Sequence, residues 1–103
     1  MAELELAELK IKCSQPAVLK ELISAAIDQK VQQILDSLHL TEERLNFFES
    51  KYEISTDEFL NKLENDELEH RMDLEFDEWV GESWLRVRLL EELQQLREVE
   101  FAN

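Results

Sequence analysis

Carboxylates are the groups in this chain most able to do chemistry, and many of them lie in one short segment. Four stand within six residues: Asp73, Glu75, Asp77 and Glu78. Such a density of carboxylates could bind Ca²⁺, but an EF-hand loop starting at Asp73 would need Gly at its sixth position and Glu at its twelfth. Those positions hold Glu78 and Trp84. We therefore expect no metal site in this segment.

The other reactive side chains are few and widely separated. Cys13 is the single cysteine, so the chain cannot form an internal disulfide or a multi-cysteine zinc site. The two histidines, His39 and His70, lie far from it in the sequence. The chain contains no phosphate-binding glycine loop, no serine-nucleophile elbow and no H-E-x-x-H motif. We expect no enzymatic activity, no cofactor and, from the lone thiol, a cytoplasmic location.

Two tryptophans are the side chains best suited to binding another protein. Trp79 and Trp84 are five residues apart, which corresponds to about 140° around a helix. One narrow buried face cannot hold both side chains, so at least one must pack against another segment or be exposed. Tryptophan is enriched at protein interfaces, and the sequence leaves open which of the two is core and which is interface.

The charge of the chain is strongly acidic and unevenly distributed. There are 25 acidic and 11 basic side chains, giving a net charge of −14, and residues 41–80 hold 14 of the acidic but only four of the basic ones. This excess argues against binding to nucleic acid or to an anionic membrane, because both need Lys and Arg. It favours a basic protein partner, which an acidic surface attracts. No apolar run approaches the ~18 residues of a membrane span, and the acidic start is unlike a signal peptide.

The composition and the hydrophobic spacing predict an all-α fold. The chain is 44% hydrophobic but contains one Gly and one Pro, too few for the many tight turns of a sandwich or barrel. Apolar residues recur at helical spacing, and we expect residues 1–103 to form one domain of four helices, two of them long. The predicted segments are a long helix at 15–39, two short helices within 41–64 and a long helix at 73–99. Residues 1–13 are predicted to be an arm or a short strand, because charged and apolar residues alternate over 8–13.

Local signals set the expected helix ends. Thr41 is expected to begin the second helix, and Asp73 to cap the last one. Ser55 and Glu58 have the spacing of a capping box, which would begin the short third helix. Gly81 interrupts the last helix, where it costs about 1 kcal/mol relative to Ala. We expect either a close helix contact or a kink there.

Part of the chain resembles a known class of proteins. The capped segment 52–64, followed by the acidic and aromatic segment 72–79, is similar to small acidic antitoxin-type proteins of cyanobacteria and archaea that are often paired with toxin genes. The resemblance covers about residues 50–95, and it departs from that class where Asn65 and Asp66 replace an expected Gly. The resemblance implies a small basic toxin as the partner, such as a ribonuclease. The chain lacks the basic strand of ribbon-helix-helix repressors, so a DNA-binding role is not expected.

These observations lead to one functional hypothesis and two alternatives. The hypothesis is a non-catalytic protein-binding module, an antitoxin that neutralises a basic partner and forms a homodimer through its broad apolar helix stripes. Its expected partner surface consists of Phe76, Trp79 and Trp84 with Asp73, Asp77 and Glu78 around them. The first alternative is a scaffold subunit that forms a helical homo-oligomer. The second alternative is an acidic mimic of nucleic acid that inhibits a nuclease.

Overall fold

The protein is helical, with three helices in the part of the chain that the structure describes. The computed structural model describes residues 8–68 and 74–101, which form α1 (Pro16–Tyr52), α2 (Thr56–Glu64) and α3 (Leu74–Arg97). The mainly helical fold is confirmed. The described residues form three helices where four were expected. The expected short strand is not found among them, since residues 8–13 are exposed and have no regular secondary structure. The expected cap, Asp73, lies outside the described residues.

Helix α1 is one continuous helix of 37 residues, and the predicted break before Thr41 is wrong. Thr41 is not a helix cap but a buried residue in the middle of α1, with 1% of its surface exposed. The buried positions of α1 keep a spacing of four and three residues across the expected break, and they are Ile34, Leu38, Thr41, Leu45 and Phe48. These buried positions form one continuous seam along α1, and neither Gly nor Pro interrupts it. The helix therefore continues for about 55 Å.

The turn between α1 and α2 lies immediately before the capping box that the sequence predicts at Ser55. Glu53 ends α1 in the left-handed conformation, with φ of 56°. Ser55 then caps α2, because its Oγ accepts a hydrogen bond of 3.1 Å from the Glu58 backbone N–H. The next backbone N–H, that of Thr56, donates to Glu49 Oε2 at 2.7 Å. Two of the unpaired amides at the start of α2 are therefore satisfied by side chains.

Helix α2 ends in a Schellman motif that explains the residues found in place of the expected Gly. Asp66 has φ of 57°, the left-handed conformation that usually favours Gly. Its N–H donates to Leu63 O at 3.3 Å, and the N–H of Glu67 donates to Lys62 O at 2.9 Å. This pair of bonds satisfies the last carbonyls of the helix. The chain thus adopts the usual helix-ending geometry with an Asp at the left-handed position.

Helices α1 and α3 pack antiparallel as a long hairpin. Ion pairs mark the register: Arg44 Nη1 lies 2.8 Å from Glu82 Oε1, and Arg86 Nε lies 3.8 Å from Glu42 Oε1. Helix α3 ends at Arg97, two residues before the expected end. In this register the first turns of α1 extend beyond the end of α3, where the Lys20 ammonium lies 6.0 Å from the Phe101 ring.

The hairpin contains two separate hydrophobic clusters. The aromatic cluster, at the end where α2 packs, consists of Leu45, Phe48, Phe59, Phe76 and Trp79. The aliphatic cluster, further along the hairpin, consists of Ile34, Leu38, Leu89 and Leu93. Between the clusters each long helix places one buried polar residue, Thr41 in α1 and Ser83 in α3. The short α2 therefore covers only one end of the hairpin.

Candidate partner-binding surface

Two of the aromatic residues expected at a partner surface lie in the core. Trp79 is 0% exposed, and its ring stacks on Phe59 with 3.9 Å between ring centroids and an interplanar angle of 1°. Its indole nitrogen donates a hydrogen bond of 3.0 Å to Thr56 Oγ1. Phe76 is 7% exposed and packs edge-on against Phe59 at 5.1 Å. A partner cannot reach either side chain while the aromatic cluster is intact.

Trp84 lies on the solvent side of the same helix. It is 72% exposed, and Asp77 precedes it by two helical turns, so the two side chains share one face of α3. Glu78 is also exposed, but it follows Asp77 by about 100° around the helix and lies on another face. Of the six residues predicted for the partner surface, the structure thus brings Asp77 and Trp84 together on one exposed face, whereas Asp73 lies outside the described residues.

The same face includes a bare stretch of backbone at Gly81. A methyl group added at Gly81 would meet no side chain and no neighbouring helix within 4 Å, so the first of the two expectations, a close helix contact, is wrong. Helix α3 continues through this position without interruption. Gly81 lies three residues before Trp84 and four after Asp77, which makes it their neighbour on the helix surface. A partner could therefore approach the backbone of α3 closely beside the exposed indole.

A groove lies between the two long helices, beside the first turn of α2. Its apolar lining includes Leu60 of α2 and Val87 of α3. Its acidic lining comprises Glu42, Glu49 and Asp57, and its basic residue is Arg86. Val87 is 51% exposed and stands three residues after Trp84, so the groove and the Trp84 face meet along α3.

One carboxylate at the aromatic end of the hairpin is electrostatically distinct. Lys51 Nζ donates to Glu75 Oε2 at 2.7 Å, and the Tyr52 hydroxyl donates to the same oxygen. These two hydrogen bonds, that from Lys51 first, hold the pKa of Glu75 below its ordinary value of 4.5. The group joins α3 to the last turn of α1, so its role is to fix the end of the hairpin.

The remaining reactive groups are not gathered into a site in the described part of the chain. Cys13 is exposed, and His39 Nε2 lies 3.1 Å from Glu43 Oε1 on the outside of α1. His70 lies outside the described residues. Within residues 8–68 and 74–101, no group of three or more His, Cys, Asp or Glu side chains is arranged to hold a metal ion.

Sequence reasoning missed the residues that line the groove and the partner of the buried indole. Thr56 could not be assigned to Trp79, because 23 residues separate them and only the position of α2 brings them together. A signal for the groove was present, since Ser83 and Val87 are four residues apart and therefore neighbours on one side of a helix.

Comparison of the chain with known protein families, with curated proteins and with solved structures gives no match. Among the described helices, none combines the length and the apolar character needed to cross a lipid bilayer.

Proposed function

We propose that this protein is a non-catalytic binding module for a basic protein. The observation that carries the proposal is Trp84, a large aromatic side chain that is 72% exposed on a regular helix within an acidic chain. A tryptophan that becomes desolvated at an interface supplies much of the binding energy. Carboxylates near it, such as Asp77, accelerate the approach of a positively charged partner.

The charge distribution supports a basic partner over nucleic acid. Residues 41–80, which include the end of α1, all of α2 and the start of α3, contain 14 acidic and four basic side chains. The sharpest form of the proposal follows from the resemblance to antitoxin-type proteins: the partner is a small basic toxin, and binding neutralises it in the cytoplasm.

The test is co-purification with the product of the adjacent gene, followed by titration of the two purified proteins. We expect a stoichiometric basic protein whose affinity falls at least about tenfold for Trp84→Gln, because the aromatic anchor is lost. The control is Leu40→Gln, which changes a side chain that is 53% exposed on α1. An acidic or absent partner, or equal affinity for the two variants, would contradict the proposal, as would salt-sensitive binding of the free protein to random DNA or RNA.

A homo-oligomeric scaffold is the second candidate, and one observation favours self-association. The first turns of α1 extend beyond α3, and they expose Val18 and Leu22 to 48% and 62%. Residues 16–40 carry two basic and three acidic side chains, so two copies could meet here without strong repulsion. We propose that the chain forms a homodimer through this part of α1, which leaves the Trp84 face open.

A further inference from the structure

The groove beside α2 is the unfilled part of a three-helix arrangement. Helix α2 has nine residues, about 14 Å, whereas the hairpin that it packs against continues along all 24 residues of α3. One face of the hairpin is therefore covered by α2 near the aromatic cluster and is open beyond the first turn of α2. Paired helices normally bury such an apolar face against a third element.

The open face of the hairpin combines apolar and acidic side chains over about four helical turns. Leu35 lies seven residues before Glu42 and fourteen before Glu49, so the three share one stripe of α1. Leu90 continues the stripe of Val87 on α3. Leu35 and Leu90 are 38% and 39% exposed. The fourteen residues from Leu35 to Glu49 correspond to about 21 Å of helix.

The walls of the groove are acidic, and this determines the charge of its occupant. The lining contains three acidic residues and one basic residue, and they are Glu42, Glu49, Asp57 and Arg86. Arg86 Nε lies 3.8 Å from Glu42 Oε1. Such an exposed ion pair contributes little to the stability of the fold. A second copy of this chain, with its net charge of −14, would bring further carboxylates to these walls. A cationic segment complements them.

We propose that the groove binds a basic amphipathic helix of about four turns, supplied by the partner protein and lying along α1 and α3. This inference rests on the proposed function, which it deepens by naming the binding site and the form of the partner segment. The apolar face of the helix covers Val87, Leu90 and Leu35, and its Lys and Arg residues flank the acidic walls. Helix-in-groove recognition of this kind uses apolar side chains spaced three and four residues apart.

The experiment uses a synthetic peptide as the probe. An 18-residue helix of Leu and Lys, with Leu at i, i+3, i+4 and i+7, is compared by fluorescence anisotropy with a scrambled peptide of the same composition. We expect the amphipathic peptide to bind at least about tenfold more tightly, because only it presents a continuous apolar face. Arg86→Gln should strengthen binding, because it removes the positive charge from the groove.

Variants locate the site. Val87→Gln with Leu90→Gln should weaken binding of the amphipathic peptide about tenfold, since it makes the groove floor polar. The matched control is Leu40→Gln with Phe47→Gln, which changes two side chains of α1 that are 53% and 59% exposed and do not line the groove. Circular dichroism melting verifies that both double variants fold.

Three results would overturn the inference. The first is equal binding of the two peptides, which indicates attraction by charge alone. The second is equal affinity of the two double variants for the amphipathic peptide. The third is a concentration-dependent dimer that the groove variant abolishes, which makes the groove a contact between copies. If the native partner binds the groove variant normally but fails to bind Trp84→Gln, the proposed function stands and only the groove assignment fails.

Discussion

Trp79 makes more specific contacts than any other residue of the aromatic cluster. Its ring lies nearly parallel to those of Phe59, Phe48 and Tyr52, with centroid separations of 3.9, 5.5 and 5.6 Å. Stacked aromatic pairs add to the free energy gained from burial alone. The hydrogen bond from its indole nitrogen to Thr56 satisfies a donor that would otherwise be buried without a partner.

We predict that Trp79→Ala lowers the free energy of unfolding by about 3–5 kcal/mol, because it leaves a large cavity in the aromatic cluster. Trp84→Ala should change it by no more than about 0.5 kcal/mol, since that side chain is largely in solvent. Urea denaturation of both variants measures the difference. A small loss for Trp79→Ala would mean that the stacking with Phe59 does not hold α2 in place.

The hydrogen bonds to Glu75 predict a contribution to stability that depends on pH. Because the pKa of Glu75 is lower in the folded protein than its ordinary value of 4.5, the unfolded chain takes up this proton first as the pH falls. The contribution is therefore complete above about pH 4.5 and is lost as the pH falls through the folded-state pKa. Denaturation midpoints measured from pH 6 to pH 3 should fall more steeply for the wild type than for Glu75→Gln. Parallel curves would contradict the prediction.

The two tryptophans show what sequence reasoning could reach at this scale. Their separation of five residues established that they face different sides of one helix. Which side is buried depends on tertiary contacts, because Phe59 and Thr56 of α2 and Phe48 of α1 together enclose Trp79. These contacts join segments about 20 or more residues apart, and no local pattern encodes them.

At the scale of elements, capping signals were informative only where a break also interrupts the apolar seam. Ser55 follows a real turn, and its predicted cap is present. Thr41 with Glu42 and Glu43 has the composition of a helix start, but Leu38 and Leu45 keep the seam continuous on either side of it. Packing along α3 therefore outweighs the local preference, as tertiary contacts commonly do. The helical class and the two long helices were predictable, whereas the number of helices was not.

The exposed glycine of α3 gives a prediction about this element. Gly81→Ala should raise the free energy of unfolding by about 1 kcal/mol, because Ala has the higher helix propensity and its methyl group clashes with no side chain or neighbouring helix. Thermal melting of the variant measures this change. A lower melting temperature would show that the backbone at Gly81 needs a conformation other than a regular helix.

At the scale of the whole molecule, the protein is elongated. Its extents are 62 × 38 × 18 Å and its radius of gyration is 19.8 Å, against about 13 Å for a compact domain of 100 residues. The start of α1 accounts for part of the length, since it continues past the end of α3 with Val18 and Leu22 exposed. Exposed apolar side chains such as these lose free energy to water that a covering partner would recover.

We predict a homodimer that depends on this end of α1. Sedimentation equilibrium at micromolar concentrations should give twice the chain mass of 12.3 kDa. Val18→Asp with Leu22→Asp should give the monomer, because it places four new charges at the interface of the dimer. Leu40→Asp is the control and should leave the dimer intact. A wild-type mass of 12.3 kDa across this range would refute the prediction.

The opposite surroundings of the two tryptophans also make the chain its own pair of optical probes. Trp79 is 0% exposed and Trp84 is 72% exposed, so their fluorescence should separate into a blue, protected component and a red, quenchable one. Because the net charge is −14, caesium ions should quench the red component more efficiently than iodide, which the protein repels. Trp84→Phe leaves a protein whose emission reports unfolding of the aromatic cluster. Trp79→Phe leaves one whose emission reports events at the surface, and together the two variants allow folding and binding to be followed separately.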